Sequence, residues 1–522
     1  MIERVVENWL TSATERTYQE PFSQLLLVEG FDVLQGPVHH PFEHGKDIIA
    51  VDPHGRLCAF QLKTGDLSLA GIRSIQDQLL TMISTAVSYP GKHQGSPAER
   101  AVLVTNGNLS PHARDHLRAF NEANTARDLA QIELVEKESL VGRFSKVQSG
   151  LVALDDLKNL LELLTADGRG PFMTSRLLGL LQGALDAPKE GASATRRTIA
   201  SGLLATAYAA TSWGEARNYL AVAEAWLAGA LGILRAAEAQ SLDSEVWTPS
   251  YELAFSAARS AVNEAVIEAC SREDLLVEDI TECFVYSTRA LEVCGWASAF
   301  FLSERALQPQ APGTDLVEDL LRREHTYIRV CGEAGAPLLF VIAKALEKLG
   351  NPSASTSLVA GWLGTLALLN RPTRSGELSA ALPNPYTPLQ EAVLLPYGLG
   401  TSQIPMERFE GRSYTAHQAL DWLARRDLRG PVEELFPGIS RLLLVDVQPS
   451  ELLSLSDDSA KTVMRALPCP SSWAGIHRDA LAAASRNLPA TIDEHPEIIP
   501  YLGLVLPHRF NRHLAGVLDS RF

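Results

Sequence analysis

The stretch GKDIIAVDPHGRLCAFQLKTG, Gly45 to Gly65, decides how the first part of the chain is read. Two β-rich runs, DIIAV and LCAFQLK, flank Asp52-Pro53-His54-Gly55. Pro presets φ at the second turn position and Gly relieves the exit, so the tetrapeptide predicts a tight turn and the stretch a hairpin. With Pro53 to Gly55 as the loop, Asp52 faces Arg56 and Asp47 lies opposite Gln61; a two-residue loop would move that pairing by one. Side chains alternate faces along a strand, so Gln61 and Lys63 share one face while Phe60 and Leu62 point into a core. An acid, an amide and a lysine therefore converge at the end of the hairpin remote from its turn.

Those residue types suit phosphodiester hydrolysis. Asp47 is a hard oxygen ligand for Mg2+ (or Mn2+), and Mg2+ is usually held by one or two carboxylates while keeping several waters. Gln61 offers a neutral carbonyl oxygen to the same ion. The ion polarises a phosphoryl oxygen and acidifies a bound water. Lys63 is a point charge that orients the attacking water or steadies the developing negative charge. A further carboxylate is expected from the preceding helix, from Glu20 or Glu15. The expected metal ligands are Asp47, Gln61 and Glu20, and Lys63 completes the catalytic set.

The surrounding chain alternates helix and strand. ERTYQEPFSQLLLVEGF has apolar residues at helical spacing and stops at Gly30. FDVLQGPVHH holds a short strand, GIRSIQDQLLTMISTAV an amphipathic helix and ERAVLVTNG a buried strand. SPHARDHLRAFNEAN opens with Ser110 as N-cap and Pro111 at the first helical position. AQIELVEKESL gives a last strand and a short helix. The predicted order is helix, three strands, helix, strand, helix, strand.

Glu20, then Asp47, then Gln61-Leu62-Lys63 on a core strand resembles the PD-(D/E)xK nuclease superfamily, which has a restriction-endonuclease-like fold. The Gln-x-Lys variant and VLVTNGNLSPHARDHL (Val102–Leu117) are most similar to Mrr-like restriction endonucleases. QLKTG followed by Gln76 or Gln78 also resembles RecB-like nucleases, whose usual version is Asp-x-Lys-Thr-Gly. The resemblance covers residues 1–147. It implies an α/β domain with a mixed central sheet flanked by helices. Here Gln61 replaces the commoner acid, which places more weight on Asp47 and the helix Glu. Aligning LL…GF on the Mrr-like pattern puts the helix acid at Gln19, so Glu20 needs a shift of one residue.

The remainder reads differently. A chain of 522 residues exceeds one typical core, which stops growing at about 250–300 residues. Beyond Leu151 the sequence is rich in Ala and Leu with helical periodicity, and a large all-α region is expected: a helical domain over 151–370, a Pro/Gly-rich loop or boundary over 371–412, and a helical domain over 413–522. Trp213–Leu234 is apolar nearly all round, as in a buried helix, and weakly resembles a tetratricopeptide repeat. No period near 34 residues is sustained, which leaves a solenoid-like arrangement open. The apolar runs Tyr219–Leu234 and Ser357–Leu369 read as too short or too interrupted to span a bilayer.

Net charge is −16, with 46% hydrophobic and 21% charged residues, which argues against a protein that coats nucleic acid non-specifically. Met1–Gly150 carries 14 basic and 18 acidic side chains, a net −4, so −12 lies beyond it. The acidic remainder suits protein binding or autoinhibition better than DNA contact. The six cysteines form no Cys-x-x-Cys pair and lie in apolar runs, as expected of free thiols in a reducing, cytoplasmic compartment.

Other polar residues carry bland readings. His39, His40 and His44 read as solvated loop residues, His112 and His116 as surface residues, at least one of Gln76 and Gln78 as exposed, and Tyr219 and Trp226 as core. The expected function is a Mg2+-dependent endonuclease on double-stranded DNA. The resemblance implies bacterial restriction or anti-phage defence, a helical region that senses a target, protein partner or trigger, and a homodimer as one arrangement; the short apolar runs lead to the expectation of no membrane. The alternatives are a degenerate nuclease fold acting as a scaffold, and RNA cleavage.

Overall fold

The computed structural model describes residues 6–35, 46–86, 95–148, 166–185, 191–272, 283–307, 314–328, 333–369, 412–447, 464–484 and 488–522, a few positions within them excepted. The chain divides into two compact units, Met1–Ala258 and Arg259–Phe522.

In the first unit a short helical stretch at residues 6–11, position 8 excepted, precedes helix α1 (Glu15–Val28) and strands β1 (Asp32–Gln35), β2 (Ile48–Val51) and β3 (Leu57–Lys63). Helix α2 (Leu69–Ser84), strand β4 (Arg100–Thr105), helix α3 (Pro111–Thr125), strand β5 (Ile132–Val135) and helix α4 (Lys137–Gln148) follow. This is the element order expected from the sequence. The strands form one mixed sheet in the order β1-β2-β3-β4-β5. β1, β2 and β3 are antiparallel neighbours, whereas β3, β4 and β5 run parallel and are joined by helical crossovers.

Local chemistry sets the boundaries. Gly30 has φ +87°, a left-handed conformation that a side chain would strain. It lets Gly30 N donate to Leu27 O and Phe31 N to Leu26 O, a Schellman closure of α1. The hairpin turns as its tetrapeptide dictates: Asp52 N donates to Arg56 O at 2.9 Å and Gly55 N to Asp52 O at 2.8 Å. Ser110 accepts from Ala113 N, with Pro111 opening α3.

The sheet is buried on both faces. Phe60, Leu62, Val102 and Val104 pack with Tyr18, Phe22, Leu25 and Leu26 of α1. Ala59, Ala101, Leu103 and Ile132 pack with Ile72, Ile75, Leu79 and Leu117 of α2 and α3. At the sheet's β5 edge, Asn121 of α3 takes both main-chain groups of Ile132: its Oδ1 accepts from the N–H at 2.8 Å, and its Nδ2 donates to the C=O at 2.9 Å.

Helices α5 (Thr174–Leu185), α6 (Ala192–Glu215), α7 (Tyr219–Gln240) and α8 (Ser244–Cys270) come next, and the division between the units falls inside α8. Leu204 and Tyr208 of α6 belong to the same core cluster as α1, and Trp9 Nε1 donates to Thr211 Oγ1 at 2.8 Å. The change of texture near Leu151 therefore marks where strands give way to helices, and packing continues across it. Among the described residues, α7 is the one helix long and apolar enough to cross a membrane; 78% of its apolar window is buried in the fold. The helix is longer than its apolar run suggested, because it continues past Leu234 to Gln240. Within it Trp226 is buried and Tyr219 half-buried.

The second unit is mostly helical: α9 (Cys283–Leu307), α10 (Thr314–Glu324), α11 (Ala336–Lys348), α12 (Pro352–Leu369), α13 (Ala416–Arg425), α14 (Arg429–Ile439), α15 (Trp473–Ala484), α16 (Ala490–Glu494), α17 (Ile499–Val505) and α18 (Arg512–Arg521). It also holds a small sheet of β6 (Arg412–Ser413), β7 (Leu443–Val447) and β8 (Met464–Pro468), which corrects the all-α expectation. The run LLVDV is too short for its period to distinguish a strand from a buried helical turn. The expected Pro/Gly-rich boundary over 371–412 lies, except for Arg412, outside the described residues.

Asp519 anchors this unit electrostatically. Its carboxylate meets Arg425 Nε and Arg426 Nη2, each at 2.6 Å, and Lys344 Nζ at 3.2 Å, with a side chain 7% exposed. Burial alone would raise its pKa, but Arg426, Arg425 and Lys344 outweigh burial and hold it well below the usual carboxylate range. Asp519→Ala leaves Lys344 and Arg426 with Glu347 and takes from Arg425 its carboxylate, so it should destabilise this unit by about 3–5 kcal/mol. Denaturant melts should show the loss near neutral pH. Because the folded pKa is depressed, the difference should shrink as the pH is lowered below about 4; equal stability at pH 7 would refute the anchor.

Candidate functional site

The β2–β3 ladder pairs Ile48 with Phe60 and Val51 with Leu57, the register that places Asp47 opposite Gln61. Asp47 stands one residue before β2, and its N–H donates to Phe60 O at 2.9 Å. Its carboxylate then continues the ladder in place of main chain. Oδ2 accepts from Leu62 N at 2.6 Å and from Gln61 Nε2 at 2.9 Å. Gln61 is 3% exposed, and its Oε1 is buried with no hydrogen-bond partner. A buried acceptor without a protein partner can be satisfied by water, a cation or a donor from a ligand.

Lys63 ends β3. Its Nζ lies 3.4 Å from both oxygens of Glu15, the first residue of α1. This is longer than a tight charge-assisted hydrogen bond, about 2.7–2.9 Å, so the ammonium is steered without being sequestered. Tyr18 holds the Lys63 main chain: its hydroxyl lies 2.7 Å from Lys63 O and accepts from Lys63 N at 3.1 Å. Burial, reinforced by the negative charge of Glu15, pushes the Tyr18 phenol well above its ordinary pKa. Tyr18 therefore acts as a neutral clamp.

Helix α1 advances about 100° per residue, so Glu15 and Gln19, four apart, share a face. Gln19 Nε2 donates to Asp47 O at 3.2 Å. Glu20 is one step round from Gln19. Its Oε2 is buried without a partner, although part of the side chain reaches the surface, and burial pushes its carboxyl pKa up to about 8. Glu15 is the helix acid seen beside Lys63; Glu20 makes no recorded contact with Asp47, Gln61 or Lys63. The Mrr-like alignment points to Gln19, and the structure puts that side chain on the main chain of Asp47. Sequence reasoning passed over Tyr18 and Lys46; Tyr18 follows from the helical spacing of Glu15. Lys46 is 3% exposed and donates to Thr85 O at 2.8 Å beyond the end of α2, and burial lowers its pKa.

The remaining candidates are dispersed. Gln76 Oε1 and His116 Nε2 are 3.0 Å apart, tying α2 to α3, whereas Gln78 and His112 are exposed. His39, His40 and His44 lie outside the described residues. Among the described residues no group of three or more His, Cys, Asp and Glu side chains is placed to hold a metal ion. A Mg2+ ion needs only one or two carboxylates, with neutral oxygens and water for the rest. Asp47 beside the unpartnered Gln61 Oε1 fits that need, with Glu15 at the same end of the hairpin.

Comparison with protein-family models, with curated proteins and with solved structures finds no match. The site therefore rests on its own geometry.

Glu20 gives a test of helix phase. Its folded pKa of about 8 lies above the unfolded value of 4.5, so the fold holds an extra proton between those values. Stability from this group is complete below about pH 4.5 and falls as pH rises to 8. Glu20→Gln should flatten that slope and raise the melting temperature at pH 8 but not at pH 4. A melting curve that Glu20→Gln leaves unchanged at both pH values would place the carboxyl in solvent.

Proposed function

We propose that the chain is a metal-dependent endonuclease that hydrolyses phosphodiester bonds in DNA. Residues 1–147 would form a PD-(D/E)xK, restriction-endonuclease-like domain of Mrr-like type. The observation that carries this reading is the meeting of Asp47, Gln61, Lys63 and Glu15 at one end of the hairpin, with the buried Gln61 Oε1 unpartnered. The helix–three-strand–helix–strand order supports it further.

Asp47 and Gln61 Oε1 would hold Mg2+ or Mn2+, with Glu15 as the second carboxylate. The ion, when bound, supplies Lewis acidity at the scissile phosphate. Leu62 N and Gln61 Nε2 fix Asp47 Oδ2, so the carboxylate is oriented before substrate arrives. Lys63, steered by Glu15 and clamped at its main chain by Tyr18, presents an ammonium to the negative charge that grows on the phosphate oxygens. By resemblance the setting is restriction or anti-phage defence in a bacterial cytoplasm, and the acidic helical region senses a target, partner or trigger.

One observation favours the scaffold reading: Asp47 Oδ2 already accepts two hydrogen bonds, and the described residues contain no carboxylate-rich metal cluster. Plasmid cleavage in Mg2+ or Mn2+ separates the two. Asp47→Ala and Lys63→Ala should each reduce cutting by at least about a hundredfold, in line with the loss of one electrostatic stabiliser. Glu15→Gln should lower it more than Glu20→Gln. Cutting that survives both Asp47→Ala and Lys63→Ala would remove this site from the reaction. Absence of both cutting and Asp47-dependent metal binding would leave the scaffold.

A further inference from the structure

Asn106-Gly107 follows β4, and Asn106 is 4% exposed with both amide atoms bonded. Its Nδ2 donates to Leu10 O at 2.6 Å and to Ala13 O at 2.7 Å. Its Oδ1 accepts from Gly65 N at 2.6 Å. One amide thus joins three segments: the chain entering α1, the chain leaving β3, and the end of β4. Ala13 is two residues before Glu15, and Gly65 is two residues after Lys63.

The neighbours of Asn106 leave it little freedom. Thr105 Oγ1 donates to Gly65 O at 2.7 Å. A Cβ on Gly107 would lie 2.2 Å from the main-chain carbon of Gly65, so the two loops touch backbone to backbone and no larger residue fits. Leu67 N donates to Asn108 O at 2.9 Å, and Ser110 N to Leu67 O at 3.0 Å, prolonging the contact. Only an amide side chain both donates twice and accepts from one planar group. Asp in this place would face two carbonyl oxygens with no proton to give them.

From this geometry we infer that Asn106 is a positioning residue that sets the separation of Glu15 and Lys63. The inference rests on the nuclease reading for its purpose, but not for its test. The 3.4 Å gap in that pair belongs to two side chains on different elements; Tyr18 ties α1 to Lys63 itself, and Asn106 ties the chain entering α1 to the chain leaving β3. If the entry to α1 moves, Glu15 either closes on Lys63 and occupies its donors or releases it. A misplacement of about 1 Å in a catalytic group can lower a rate by about a hundredfold.

The test uses the full chain and a zero-length carbodiimide, which joins a carboxylate to an amine only where they are in contact. Mass spectrometry should find a Glu15–Lys63 amide in the wild type. Asn106→Ala and Asn106→Asp should reduce its yield by about tenfold, and either variant that folds suffices. Thr105→Val removes the neighbouring tie to Gly65 without touching the entry to α1, so it should lower the melting temperature yet preserve the cross-link. Wild-type yield in the Asn106 variants, or an equal loss in Thr105→Val, overturns the positioning role. Cleavage is then measured in a double-mutant cycle with Glu15→Gln, where Asn106→Ala should cost little further rate; additive losses also overturn it. A wild type that cross-links but neither cuts DNA nor binds metal through Asp47 would sink the nuclease reading and leave the Glu15–Lys63 geometry standing.

Discussion

The candidate site depends on a place where a β ladder ends and a side chain takes over. Main-chain pairing between β2 and β3 stops at the bond from Asp47 N to Phe60 O. The next donor along β3, Leu62 N–H, would be unpaired at the fork, and an unpaired buried donor is expensive. Asp47 Oδ2 accepts it. One carboxylate oxygen is thereby committed to structure, and this commitment fixes the plane of the whole group. The same oxygen draws in Gln61 Nε2, which turns Gln61 Oε1 outward from the pair and leaves it unsatisfied. The polarity of the site is thus a by-product of how the hairpin closes.

Helix α1 shows how two demands are met by one amphipathic element. Tyr18, Phe22, Leu25 and Leu26 bury against the sheet. Glu15 and Gln19 reach the open end of the hairpin. Glu20 and Gln24, again four apart, turn a second polar strip inward: Glu20 Oε2 and both amide atoms of Gln24 are buried without partners. Such groups weaken a fold, and a buried charge would weaken it more; burial raises the Glu20 pKa and so keeps its carboxyl neutral.

Much of the α/β region was legible because its signals are local. Turn chemistry at Asp52–Gly55 fixed the register, Gly30 stopped α1, and Ser110-Pro111 started α3. The choice between Glu15 and Glu20 was not legible, since it depends on helix phase, and one residue of error swings a side chain by about 100°. Asn106 was hidden for another reason. Asn-Gly is ordinary turn vocabulary, and nothing adjacent in sequence reveals that Leu10, Ala13 and Gly65 converge on it. Strands β7 and β8 were missed because they are short and set among Ala- and Leu-rich helices.

The amide of Asn121 has a consequence for assembly. Parallel strands at the edge of a sheet expose main-chain groups that invite another strand, whether from a partner or from a second copy. On β5, Ile132 offers neither its N–H nor its C=O, because Asn121 has taken both in the manner of a neighbouring strand. A second copy that tried to continue the sheet there would have to evict a side chain anchored on α3 before forming its first rung. Growth of the sheet is discouraged at that rung.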